Sequence, residues 1–170
     1  MNGNVSKRYR LVRYGYPAYP RLTMAAVPDV RELARDETAL AAGAMLELRP
    51  ALGSAEALVA RADAQRDAGY RLVASFEPGD ESAAGVAGFR VGENLAWGRH
   101  LYVDDLVTRR DRRGRGHARA LLRWLAGEAE RCGCGELHLD SGVGPERQAA
   151  HRIYFAHGLR ISAHHFAREI

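Results

Sequence analysis

The chain has 170 residues, 46% apolar and 27% charged, with a formal net charge of +4. That is the size and composition of one soluble domain with a real core; no run reaches the roughly 20 apolar residues of a membrane span, and no signal-peptide pattern opens the chain. Two cysteines, Cys132 and Cys134, exclude a disulfide framework and a self-contained zinc site, so a reducing cytoplasm is the expected compartment.

The charge is unevenly spread. Lys7, Arg8, Arg10, Arg13 and Arg21 lie in residues 1–22 with no acid among them, which leaves the rest of the chain close to neutral. Residues 1–20 read as a basic extension, with Tyr9, Tyr14, Tyr16 and Tyr19 set among Gly15, Pro17 and Pro20. Such a segment is either poorly ordered or an arm that packs on the domain or a partner. The domain is expected over residues 21–170.

Residues 21–27 are predicted as a first strand. Pro28-Asp29 reads as a helix start, Asp29 being the N-cap for Val30, Leu33, Ala34 and Leu40, and the helix fades near Ala42-Gly43. Gly43 to Pro50 reads as the loop after it. A second helix is predicted over Ser54–Ala68, closed by Gly69. Strands follow at Tyr70–Phe76, Ala83–Val91 and Leu101–Val107, with a bulge near Trp97-Gly98. Gly116–Arg131 is a helix, Glu136–Asp140 a short strand, Pro145–His157 a helix, and Leu159–Phe166 a closing strand. The three consecutive strands form an antiparallel meander, and the strand–helix–strand unit 101–140 a parallel crossover. The fold class is α/β (α+β): one mixed, mostly antiparallel sheet flanked by helices.

The most informative stretch is Leu101–Leu122, LYVDDLVTRRDRRGRGHARALL. A strand runs into an Arg/Gly turn and then straight into a helix. A helix N-terminus behind glycines offers free N–H groups and a partial positive charge to a phosphate. No Gly-Lys-Ser/Thr follows, so it is not a P-loop, and it fails as a dinucleotide fingerprint. What remains is a pyrophosphate cradle of backbone amides, with Arg109, Arg110, Arg112 and Arg115 available to other phosphates of one ligand.

This segment resembles the acetyl-CoA signature of the GNAT family of N-acetyltransferases, Gln/Arg-x-x-Gly-x-Gly/Ala, here Arg113-x-x-Gly116-x-Ala118. The helix Arg147-x-x-Ala150 through Tyr154 to Gly158 resembles the family's Asn-x-x-Ala-x-x-(apolar)-Tyr-x-x-x-Gly helix, with Arg147 in place of the usual Asn. The resemblance implies a fold whose fourth and fifth strands splay around acetyl-CoA as cosubstrate, with no metal. It implies that the backbone of Leu106, Val107 and Thr108 pairs with the pantetheine arm. It implies that Arg113, Gly114, Arg115, Gly116, His117, Ala118 and Arg119 surround the pyrophosphate, with Arg147 reaching a pantetheine carbonyl or a phosphate. Tyr154 falls where the family protonates the departing CoA thiolate, and Asp104 where it places the general base. A backbone N–H near Val107 would stabilise the oxyanion.

From the residues alone, Asp104 and Asp105 point to opposite faces of their strand, and either, or a water chain, can be the base. Tyr154 also reads as a packing tyrosine. The histidines His138, His151, His164 and His165 have no ligand spacing, although one of His164 and His165 can line the acceptor site. The expected activity is direct acetyl transfer to a primary amine, a small molecule or a peptide. A non-catalytic acyl-CoA-binding regulatory domain is the alternative. A nucleic-acid module is disfavoured, because Arg109–Arg119 lacks interleaved aromatics. No membrane partner is expected, and an exposed sheet edge leaves a homodimer open. The acceptor, the acyl chain and the role of residues 1–20 are not legible in the sequence.

Overall fold

A computed structural model describes residues 28–170. The expected extension 1–20 and first strand 21–27 lie outside the described residues. The framework is a five-stranded sheet in the order β1-β2-β3-β4-β5. Its strands are β1 (Asp29–Glu32), β2 (Arg71–Phe76), β3 (Gly85–Asn94), β4 (Gly98–Thr108) and β5 (Glu136–Leu139). The first four pair antiparallel, and β5 joins β4 in parallel through the crossover helix α3 (His117–Arg131). The other helices are α1 (Ala42–Leu48), α2 (Ala55–Arg66) and α4 (Gln148–Ala156).

Strand alternation sorts the core into two layers. Tyr70, Leu72, Ala74, Phe76, Val86 and Val107 face α1 and α2, where Ala44, Met45, Leu58 and Ala62 meet them. Val73, Ala87, Phe89, Leu101 and Val103 face α3, whose Leu121, Leu125 and Ala129 form the matching stripe. Ser54 caps α2 by accepting the Ala57 N–H at 3.1 Å, as its position before the helix predicts.

Four expectations are corrected. Asp29 opens a strand rather than capping a helix: Asp29–Glu32 finds a ladder along β2, from Asp29 opposite Phe76 to Glu32 opposite Val73. The turn into helix comes later, where Glu37 accepts the Ala34 N–H at 3.0 Å and Arg31 at 2.8 Å. Helical structure then runs as a 3-10 turn (Arg35–Ala41) into α1, so Gly43–Leu48 is helix and not loop. The closing strand at 159–166 does not form. The chain beyond α4 has no regular structure, and a groove of about 580 Å³ separates β5 from residues 157–162, so those residues have no ladder to join. Trp97 lies in a turn, and the bulge is elsewhere.

Beneath α3 a buried carboxylate gathers cations. Glu128 is 6% exposed and accepts Arg131 at 2.6 and 2.7 Å, with Arg71 at 2.6 Å. Arg71 also pairs with Glu32 and lies over the Phe89 ring at 4.8 Å, tying β1, β2 and α3 together. The Arg131 hydrogen bonds chiefly, then those from Arg71 and Cys132, overcome burial and hold the Glu128 carboxyl at about 2.

Two stability predictions follow from this packing. Glu128→Gln should cost about 3 kcal/mol at neutral pH, since it removes the buried carboxylate that Arg131 and Arg71 both bond and leaves Arg71 with Glu32 alone. A depressed carboxyl contributes stability that is present above its unfolded value and lost as pH falls through its folded value. The deficit should therefore shrink between pH 4.5 and about 2, which denaturant unfolding across that window measures. The second concerns Gly88, where an added Cβ would overlap the Tyr70 hydroxyl and ring. Gly88→Ala should cost about 2 kcal/mol by overpacking, and less in a Tyr70→Ala background; additive costs would contradict the contact.

Candidate active site

The site begins where a ladder ends. Parallel pairing of β4 with β5 runs from His100 opposite Glu136 to Val103 opposite Leu139 and stops. Residues 104–108 of β4 continue along β3 alone, from Asp105 opposite Gly88 to Thr108 opposite Gly85. Their other edge is free of a strand. A cavity of about 210 Å³ opens there, and Arg49, Asp104, Asp140, Ser141, Arg147 and Tyr154 are among its lining residues.

A β-bulge falls at the same point. On β3, Phe89 opposes Val103 and Gly88 opposes Asp105, so Asp104 is the extra residue without a partner. The expectation that adjacent carboxylates point to opposite faces fails for this reason. Asp104 accepts Arg90 Nε at 2.8 Å, and Arg90 lies over the Tyr70 ring at 5.3 Å and bonds Gln65 of α2. Asp105 accepts the Tyr70 hydroxyl at 2.9 Å and Arg49 Nε at 2.8 Å. Both acids therefore turn toward the α1/α2 face.

Their surroundings differ. The Asp105 side chain is 11% exposed and has a donor on each oxygen, whereas that of Asp104 is 30% exposed. Burial, and then the Asp105 charge, push the Tyr70 phenol up, so Tyr70 stays a protonated donor. Tyr102 donates to Asp140 at 2.6 Å, and its phenol is raised too, by burial first and that carboxylate second. His165 lies 3.0 Å from the same carboxylate.

Tyr154 enters from α4 on the other side of the cavity, 8% exposed. Burial pushes its phenol up, and the Arg147 charge, with hydrogen bonds from Ser141 and Arg147, draws it partly back. Arg147 Nη2 is 3.5 Å from the Tyr154 hydroxyl. Asp104 and Tyr154, distant in sequence, thus face one space with Arg147 and the open edge at Leu106.

The Arg/Gly turn stands at the end of β4. Gly114 and Gly116 have φ of +79° and +92°, a region that a side chain would strain, and Gly116 is the α3 N-cap with no side chain capping the helix. The first α3 amides are left available. His117 turns its ring inward, 1% exposed, to Ser75 Oγ at 3.1 Å and Glu77 at 3.3 Å, so only its backbone faces the turn. Arg115 pairs with Glu77 at 2.8 Å, and Arg112 with Asp80 at 3.2 Å. Burial works to raise the Glu77 carboxyl, but hydrogen bonds from Arg115 and His117 outweigh it and leave it lowered. These arginines brace the turn against the β2–β3 loop, while Arg113 and Arg119 are exposed and Ala118 half-buried. Arg113 Nε reaches the Thr108 carbonyl at 3.4 Å.

An extended acyl-CoA arm fits the donors and acceptors present. The Thr108 hydroxyl is buried without a hydrogen-bond partner among the described residues, at the free edge of β4 and a short step from the uncapped α3 amides. Among the described residues no group of His, Cys, Asp and Glu gathers to hold a metal ion, and no helix is long and apolar enough to cross a membrane. The sequence reading missed Tyr70, Arg90, Arg49 and Ser141. Gly88 carries the one local signal for Tyr70, as the small residue that leaves room for its ring.

Comparison with known proteins agrees with this architecture. Residues 29–159 match the model of the acetyltransferase (GNAT) family. Over 85 residues the chain is 32% identical to a Bacillus subtilis (strain 168) protein named "Uncharacterized N-acetyltransferase YhdJ", covering 50% of this chain and 57% of that one. The chain thus spans little more than half the length of that relative. Among solved structures, the aminoglycoside N-acetyltransferase AAC(6')-Iy in complex with CoA superposes with a TM-score of 0.72 at 18% identity, over 87% of this chain and 98% of that one. A ribosomal-protein-alanine N-acetyltransferase from Brucella melitensis biovar Abortus 2308 gives 0.69 at 20% identity, over 85% and 100%. At those identities the likeness is one of fold, whereas the family match covers most of the chain: the protein belongs to the GNAT family of acetyltransferases.

Proposed function

We propose that the protein transfers the acetyl group of acetyl-CoA directly to a primary amine held in the same complex. The observation that carries this reading is the termination of β4–β5 pairing at Val103 beside Asp104 and Tyr154. The free edge of Leu106, Val107 and Thr108 offers backbone groups to the pantetheine arm as an added strand would. The amides of Gly114–Arg119, at the N-terminus of a 15-residue helix, suit the pyrophosphate. The solved complex of AAC(6')-Iy with CoA supports the choice of cosubstrate.

Asp104 is the proposed base. It is the more open of the two acids and is not shared between two donors, so a water or an ammonium can reach it. It takes a proton from the amine, whose nitrogen then attacks the thioester carbonyl. A β4 backbone N–H near Val107 faces the oxygen on which charge develops. Tyr154, kept protonated by burial, gives its proton to the sulfur as the C–S bond breaks. Asp105, locked by Tyr70 and Arg49, holds the bulge that presents Asp104.

The acceptor class is an amine, a small molecule or the end of a peptide, reached from the α1/α2 face where Leu48 and Arg49 line the cavity. The two more exposed acids lining the cavity, Asp104 and Asp140, favour a cationic acceptor, whereas Asp105 is taken up by Tyr70 and Arg49. The reading is tested by CoA release from acetyl-CoA across a panel of amines, amino acids, peptides and aminoglycosides. Tyr154→Phe and Asp104→Asn should each lower kcat by about 100-fold or more, the contribution of a positioned acid or base. A rate untouched by both substitutions, or no rate with any amine, contradicts it and favours a non-catalytic acyl-CoA-binding domain.

A further inference from the structure

Arg147 stands where the family's helix usually carries Asn, and its surroundings suggest why a guanidinium is useful there. It sits at the entry to α4, about two turns before Tyr154 comes round onto the same face. Its Nε donates to Ser141 Oγ at 3.3 Å. Ser141 is in turn held by His151, whose Nε2 is 3.1 Å from that oxygen and 3.0 Å from the Gly142 carbonyl. Ser141 thus holds one edge of the guanidinium, and its Nη2 lies 3.5 Å from the Tyr154 hydroxyl.

Resting on the acetyltransferase reading above, we propose that Arg147 is a positioning residue for the general acid: it holds a fixed positive charge against the Tyr154 oxygen and stabilises the phenolate left when the proton departs. In that step the Tyr154 O–H bond breaks and an S–H bond forms on the CoA sulfur, whose electron pair comes from the broken C–S bond. The phenolate then recovers a proton from water. A neutral Asn could orient a phenol but not offset the charge left on it. Arg does both.

The charged groups around Tyr154 come from four directions. Arg49 stands at the end of α1, Asp104 and Asp105 on β4, Asp140 after β5, and Arg147 and His151 on or beside α4. The three acids oppose a phenolate and the two arginines favour one, with Arg147 in direct contact. Burial sets the phenol high, and the Arg147 charge acts against that.

The test reads Tyr154 itself, so it does not depend on turnover. The full-length protein, with tyrosine labelled at Cζ with carbon-13, is titrated by NMR, and Tyr154 is assigned from its loss in Tyr154→Phe. In Arg147→Gln the phenol should titrate about one pH unit higher than in wild type, and in Arg147→Lys close to wild type. Arg147→Ser, measured alongside, should follow Arg147→Gln and covers a folding failure of either variant. In kinetics, kcat should fall about tenfold in Arg147→Gln and be partly rescued in Arg147→Lys, while KM for acetyl-CoA changes little. An unchanged Tyr154 titration in Arg147→Gln and Arg147→Ser overturns the proposal. A rise in KM for acetyl-CoA with no change in titration does so too and makes Arg147 a cofactor contact. Loss of all transferase activity in the wild type with the titration shift intact would instead contradict the acetyltransferase reading alone.

Discussion

The interaction on which the site depends is one that stops: the β4–β5 ladder. Four residue pairs join the strands, and the ladder ends at Val103 and Leu139. Parallel strands cannot be pried apart cheaply once paired, because each freed N–H and C=O must find another partner. The extra residue at Asp104 shifts the pairing register with β3 at the same point, so β4 keeps one neighbour and loses the other. The candidate site gathers on that break. The free backbone edge, two carboxylates, the α4 tyrosine and the uncapped α3 helix lie around one cavity or next to it.

Holding the bulge open is the work of a polar cluster beneath it. Tyr70 sits in the α1/α2 core yet ends in a hydroxyl, and Asp105 gives that hydroxyl its partner. Gly88 across from Asp105 leaves space for the ring. Arg90 stacks on Tyr70 and pairs with Asp104, so the two acids share one scaffold but not one environment. The difference in accessibility between them makes one a structural anchor and leaves the other open to chemistry. On the far side, Arg115 and Arg112 anchor the Gly114–Gly116 turn to Glu77 and Asp80. Most of the arginine-rich run is therefore internally neutralised.

Much of the fold was legible in the sequence. The meander, α2 with its Ser54 cap, the crossover helix and the stripe of Leu121 and Leu125 follow from periodicity and turn residues, and the structure has them. What misled was local. Asp29 has the chemistry of an N-cap, but a free β2 edge won over helix propensity. Leu159–Phe166 has the pattern of a strand without a neighbour to complete its ladder. In the candidate site, Asp104, Tyr154 and the glycine turn could be proposed because their motifs are contiguous, and the structure brings Asp104 and Tyr154 to one cavity. Tyr70, Arg90 and Ser141 could not, because each matters only through a contact spanning distant segments. Nor does a pattern of residue types reveal a single-residue bulge, which is why both acids were expected on opposite faces.

The central claim is that the open edge of β4 and the α3 turn together hold the acyl-CoA. Backbone amide NMR of the full chain during titration with CoA tests it most directly. The account expects the largest shift changes at Leu106, Val107 and Thr108 and at Gly114–Arg119, with smaller ones at Tyr154. Saturable changes confined to other surfaces, or none at millimolar CoA, would contradict it.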